Sequence, residues 1–427
     1  MSDDSNKLVR AIGRWTLTAL VINAIIGSGI FGLPMQVAQL LGSAAPIAYL
    51  LAAAGMGVIM ACFAEVASQF REAGGPYLYA RTVFGRFIGI EVGWLAFLVR
   101  LASAAANANL FAISLGHFVP AVTTGWPRIV LLTAVLGILC LVNVRGVQSG
   151  ARLSNFFTVA KILPLLLFVA AGVGFTAGRF PVGLTAAGAN DWFLAALALV
   201  FALGGFESAL MPMSEAKDPR RDAPFALFTA LAVCATLYVL IHLVVMALVP
   251  EAQMSARPLA DAARVMFGAT GAAFMAAAAM LSTYGYLSGQ IVSAPRMPYA
   301  MAEQGDFPAP FAAVHPRFRT PHVSIVVYTG LALALAIYGN FFWNAILSAV
   351  ARLFVYAPVS AAVIVLRRRN PQADAYRLPA GWLFAVLGIA FCAVLVVRME
   401  LQHLNVLLAV TALALANWLW ARRQGNR

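Results

Sequence analysis

Apolar residues run through this chain in helix-length stretches with almost no charge inside them, and that feature limits the fold more than any motif does. A membrane-crossing helix needs roughly 20 such residues, because each rises ~1.5 Å through a ~30 Å hydrocarbon core. Composition agrees: 62% of residues are hydrophobic and only 11% charged, whereas a soluble domain covers itself with roughly a quarter charged residues. The stretches are rich in Ala and Leu and lack the ~10-residue alternation of a membrane barrel. The expected fold class is an all-α polytopic membrane protein with lipid as its solvent.

The pattern predicts twelve spans, at 14–41, 46–70, 85–115, 127–143, 155–174, 192–213, 224–249, 263–294, 323–338, 343–366, 381–397 and 404–420. They divide the chain into a tail (1–13), a five-span block (14–174), a second five-span block (191–369), two further spans (381–420) and a tail (421–427). An even number of spans places both termini on one side. The N-tail and alternate loops carry 21 of the 29 Lys and Arg, while the opposite loops hold five: Arg128, Arg179, Arg257, Arg264 and Arg398. By the positive-inside rule both termini are expected in the cytoplasm, with the protein in the inner membrane of a bacterium-like cell. The same rule accounts for the net charge of +13 without a nucleic-acid partner. Cys62, Cys140, Cys234 and Cys392 sit singly in apolar runs and are expected to be small buried hydrophobes. The polar N-terminus leads into a long span with no small-residue cleavage site, so no cleaved signal peptide is expected.

Two spans are interrupted by glycine at matching places, the first at Gly27, Ser28 and Gly29, the sixth at Gly204 and Gly205. Each break opens a five-span block, and an odd-numbered block inserts its successor upside down. Paired interruptions of this kind point to a transport site at the bilayer centre, although small residues also serve close helix packing. Unwound backbone is tolerated at that depth where it lines a cavity. Freed N–H groups at the start of a half-helix attract a carboxylate, and here they belong to Ser28, Gly29 and Ile30. Freed carbonyls suit an ammonium, and those before the breaks belong to Ala24, Ile25, Phe201 and Ala202. Together the breaks match the zwitterionic head of an α-amino acid.

The segments IIGSGIFGLP, EAGGPYLYA, FALGGFES, SEAKDPRRDAP and SAPRMPYAMAEQGDFPAPFAAVHPRFRTP resemble the amino acid–polyamine–organocation superfamily of permeases, from about residue 14 to 370. The resemblance implies two inverted five-helix repeats, with spans 1 and 6 broken, plus two peripheral helices. It places a substrate carboxylate on the amides of Ser28 and Gly29 and an amine on the carbonyls of Ile25, Phe201 and Gly204. Phe201 and Phe206 stand where family aromatics cap the site. It also gives meaning to Lys161, in the apolar fifth span, where a lysine replaces a sodium ion of related folds. Its ammonium is then expected to reach a first-span carbonyl and an eighth-span hydroxyl, Ser282 or Thr283.

Lys161 is notable without the resemblance. An intramembrane lysine is costly unless paired or neutral, which makes it a functional candidate, and one held there can trade its proton near neutral pH. Arg100 and Glu207 are also within spans, and if their helices share a cavity the two are able to pair as structural or gating residues. An unpaired Glu207 would instead attract a cationic side chain or polyamine. The family commonly has a neutral residue there, so the substrate's charge stays open. Arg352 is expected to partner a buried or cytoplasmic acid, and Glu65, Glu215 and Asp218 to form an inner-gate set with loop arginines, surface pairing being the plainer account of the last two. A short outer helix is expected near Glu251–Met266, and His242, alone in the seventh span, is expected to be a packed, hydrogen-bonded histidine.

The expected function is therefore sodium-independent secondary active transport of an amino acid, a neutral one of small or medium size, with a proton as candidate coupling ion and alternating access as the cycle. The alternative is an antiporter of cationic amino acids or polyamines, and a lesser one an amino-acid receptor that does not transport. An enzyme is not expected, because the five histidines are scattered and no span clusters catalytic residues. No cofactor or metal is expected. The expected partners are a small-molecule substrate and membrane lipid, the protein being a monomer or homodimer.

Overall fold

The computed structural model describes residues 13–70, 74–146, 151–183, 187–210, 216–250, 253–371 and 375–425, without the side chains of 151–156, 424 and 425. Its regular structure is helical, with no strand among the described residues. In chain order the helices are α1 (Arg14–Ile25), α2 (Gly29–Leu41), α3 (Ala45–Ala67), α4 (Gly75–Phe84), α5 (Arg86–Leu115), α6 (Gly125–Val144), α7 (Ala151–Thr176) and α8 (Ala189–Leu203). They continue with α9 (Phe206–Ala209), α10 (Pro219–Leu248), α11 (Pro258–Ser293), α12 (Arg296–Glu303), α13 (His322–Tyr338), α14 (Phe341–Arg369), α15 (Gly381–Val396) and α16 (Leu401–Gly425).

Every predicted span overlaps a helix, the first as α1 and α2 and the sixth as α8 and α9. Among the described residues nine stretches are long and apolar enough to cross a membrane, and α13 and α15 are shorter apolar helices. The helix that holds the expected eighth span starts earlier, at Pro258, and bends at Gly268 (φ 66°, ψ −153°). That left-handed conformation is open to glycine at little cost. The part before the bend falls where a short helix is expected near 251–266, and Gly271 lets the two parts close up, since a Cβ there would meet the Ala263 carbonyl. Glu251 and Ala252 lie outside the described residues, as does Glu215.

Packing brings helices from the two halves of the chain together: α1 lies on α9, α2 on α8, α3 on α10, α5 on α11 and α6 on α13. α14 packs most extensively against α5 and also touches α3, α4, α8 and α15. The core is one continuous cluster of buried Ala, Leu, Ile, Val and Phe. α6 and α16 sit at the periphery, with about a fifth of their apolar windows buried. Cys62, Cys234 and Cys392 are buried, whereas Cys140, on peripheral α6, is half-exposed.

Candidate substrate site at the crossing of two broken helices

The two interruptions meet backbone to backbone. α1 closes when the Ile26 amide donates to the Ile22 carbonyl, and α2 opens when Phe31 and Gly32 donate to the Ser28 carbonyl. The first N–H groups of any helix have no partner within it, and here they are those of Gly29 and Ile30, with Ser28 at the cap. On the facing chain, α8 ends with Gly204 extended and Gly205 left-handed at φ 103° before the single turn of α9. A Cβ on Gly29 would sit 2.9 Å from the Ala202 Cα, and one on Gly205 would run into the Ala24 carbonyl oxygen. Only hydrogen at these two positions lets the segments cross this closely. The hydroxyl of Tyr238, from α10, lies 3.2 Å from the Ile25 carbonyl and 3.3 Å from that of Ala202, bridging the ends of both first halves.

Lys161 reaches this crossing from α7. Its ammonium donates to the Asn23 side-chain oxygen at 3.0 Å and to the Ile26 carbonyl at 3.3 Å, and it faces the Tyr286 ring at 6.0 Å. The first-span carbonyl is present as expected. The eighth-span hydroxyl is not its partner: Thr283 bonds back to Ala279 and Met280 in its own helix, and the Ser282 hydroxyl is buried without one among the described residues. Asn23 takes that place because it lies one turn before the break, on the α1 face nearest α7.

The intramembrane charges sort differently from the anticipated pairing of Arg100 with Glu207. The ion pair of Glu207 is with Arg352 of α14, Nε to Oε1 at 3.1 Å. Its other oxygen accepts from the Tyr356 hydroxyl and the Gly205 amide, both at 2.9 Å. Arg100 hydrogen-bonds Gln290 at 3.4 Å, and the Tyr328 hydroxyl donates to its carbonyl. Glu207 sits two residues past the second break, so its carboxylate folds back onto the amide that the break frees. Glu65 forms a bidentate pair with Arg367 at 2.6 and 2.7 Å and also accepts from the Leu378 amide. Asp218 stands near Arg220 and Arg221 at 3.9 and 3.8 Å, on the surface, where such pairs contribute little. His242 is fully buried and packed against Tyr49, its ring nitrogens without hydrogen-bond partners among the described residues.

A cavity of ≈ 20 Å³ lies beside the second break, lined by Pro76, Arg100, Gly205, Glu207, Ser208, Gln290, Arg352 and Tyr356 among others. That volume holds about one water. Phe201 lies with Arg352 above its ring and Phe341 against its edge. Phe341 in turn fills the notch over Gly32, where an added Cβ would be 2.5 Å away. Phe206, in contrast, packs on Phe63 and Tyr356 and does not line the cavity. Four buried polar atoms around the crossing have no partner among the described residues: Ser28 Oγ, Asn107 Oδ1, Ser282 Oγ and Arg352 Nη1. Buried polar groups are ordinarily satisfied; further such atoms, among them those of His242, Ser360 and Asn417, lie elsewhere in the bundle.

The family model for amino acid permeases matches residues 12–416. The chain belongs to the amino acid permease family. Among its relatives, the methylthioribose transporter of Bacillus subtilis is 28% identical over 405 residues, covering 91% of this chain and 88% of the relative. The serine/threonine exchanger SteT of the same organism is 28% identical over 409 residues, with 91% of each chain covered. A putative arginine/ornithine antiporter, also from Bacillus subtilis, is 28% identical over 349 residues, with 74% of each covered. Family and relatives alike are transporters, and the permease is a multi-pass membrane protein.

Several permease residues at this site were not singled out in the sequence. Asn107 carried a signal, as a polar residue in the apolar run of α5. Tyr238, Tyr286 and Gln290 did not, because an aromatic or amide within a span looks the same whether it packs or binds.

Proposed function

We propose that this permease carries an amino acid across the inner membrane without sodium, through a site at the two helix breaks. The substrate carboxylate is held by the amides of Ser28, Gly29 and Ile30 and the ammonium by the carbonyls of Ile25, Phe201 and Gly204. Twelve crossings, two inverted repeats and cytoplasmic termini complete the proposal, together with alternating opening of the two faces. The observation that carries it is the Lys161 ammonium, 3.3 Å from the Ile26 carbonyl within the first break. A fixed cation at that carbonyl does the electrostatic work of a bound metal ion and leaves no call for sodium. Its proton is the candidate coupling ion.

The test is uptake into proteoliposomes by a panel of labelled amino acids, polyamines and methylthioribose, with sodium or choline and with or without a proton gradient. Saturable amino-acid uptake that is indifferent to sodium and rises with inward-directed protons supports the proposal. A strict sodium requirement overturns it. Uptake only against preloaded substrate would assign an antiporter, and binding without flux a receptor.

A further inference from the structure

Resting on that reading, the side-chain end of the site identifies a substrate class. Arg352 is 3% exposed, and two of its three nitrogens are committed: Nε to Glu207 at 3.1 Å and Nη2 to the Ser103 hydroxyl at 3.3 Å. Ser103 is itself anchored to Ser348 at 2.8 Å. These bonds fix the plane of the guanidinium, leaving Nη1 buried without a partner among the described residues. The group stands directly at the second break, since a Cβ on Gly204 would lie 2.8 Å from Nε, and it lines the cavity. Glu207 offers a substrate nothing comparable, because one oxygen is held by Arg352 and the other by Tyr356 and Gly205. Among the described residues the charged groups lining the cavity are Arg100, Arg352 and Glu207.

We infer that Arg352 is the specificity-determining residue, its Nη1 donating to a carboxylate at the end of the substrate's side chain, so that the permease takes acidic amino acids. A buried guanidinium held by a carboxylate on one edge presents its remaining N–H groups in a fixed plane, which suits an oxygen acceptor and repels a cation. Glu207 orients the guanidinium and tempers its charge; it is a positioning residue for anionic substrates rather than a reader of cationic ones.

The experiment compares inhibition of labelled uptake by unlabelled glutamate, leucine and lysine in the wild type, Arg352→Gln and Glu207→Gln, each as purified full-length protein in liposomes. Wild-type protein should prefer glutamate to lysine at least tenfold. Arg352→Gln releases the Glu207 carboxylate and should move that ratio at least tenfold towards lysine. Glu207→Gln leaves Arg352 without its counter-ion and should move the ratio the other way. Opposite shifts from two substitutions of one ion pair cannot both come from damaged folding. Amino-acid uptake that prefers leucine or lysine, with a ratio unmoved by Arg352→Gln, overturns the inference and leaves the carrier proposal standing. Absence of all amino-acid uptake by wild-type protein overturns both.

Discussion

Lys161 and Glu65 are both buried charges at helix-packed positions, yet their partners give them different duties. Among the described residues Lys161 donates to neutral oxygens alone, those of Asn23 and Ile26, so its charge is balanced by dipoles at the first break. Lys161→Ala should lower the initial uptake rate more than tenfold, with the protein still inserted, and the remaining uptake should lose its response to a proton gradient. Uptake that keeps both rate and gradient response would remove Lys161 from the mechanism. Glu65 instead meets a full countercharge, bound through both oxygens to Arg367. Removing one partner of a buried pair costs ~3–5 kcal/mol, and Arg367 keeps a quarter of its side chain exposed. Glu65→Ala should therefore destabilise by about 3 kcal/mol, at the lower end of that range, seen as a lower midpoint in denaturant titration in detergent.

At the scale of elements, the breaks are what the sequence announced, because glycine is needed where backbone meets backbone. Gly205 needs a left-handed φ as well as room beside Ala24, and Gly29 needs room beside Ala202. Gly205→Ala and Gly29→Ala should each abolish uptake normalised to inserted protein. Gly137→Ala, in α6 with nothing within 4 Å of the added Cβ, should stay within twofold. Equal effects at all three would mean that the crossing tolerates separation. The partners of the charges were much less legible. Glu207 and Arg352 are 145 positions apart, and hydropathy says how deep each lies but not which way it faces around the helix. Arg100 looked as good a partner because it is equally deep. Asn23 went unnoticed beside the glycines for the same reason: depth is written in the pattern, azimuth only in the packing.

Over the whole molecule, the cavity beside the second break is linked to a cluster of charge outside it. Pro76, at the start of α4, lines that cavity, and α4 is tied down by charge. Asp306, wholly buried, accepts from Arg81 at 2.7 Å and Arg86 at 2.6 Å, while the Tyr77 hydroxyl donates to it at 2.6 Å. Burial and that hydrogen bond hold the Tyr77 phenol well above its usual range, so it remains a donor at any pH the cell meets. Asn417 of α16 donates to the Asp306 backbone carbonyl, which gives the last helix a part in holding the cluster. The arginines are each about a third exposed, so on losing the carboxylate they turn to water and α4 comes free. Asp306→Asn should therefore raise the labelling of a cysteine placed at Ser208, in a cysteine-free background, by an impermeant maleimide applied to the Asp306 face. The expected rise is at least fivefold, with labelling from the opposite face unchanged or lower, as one face closes when the other opens. Unchanged labelling from both faces would mean that α4 is held by packing alone, and that the charge cluster serves assembly of the loops rather than the transport cycle.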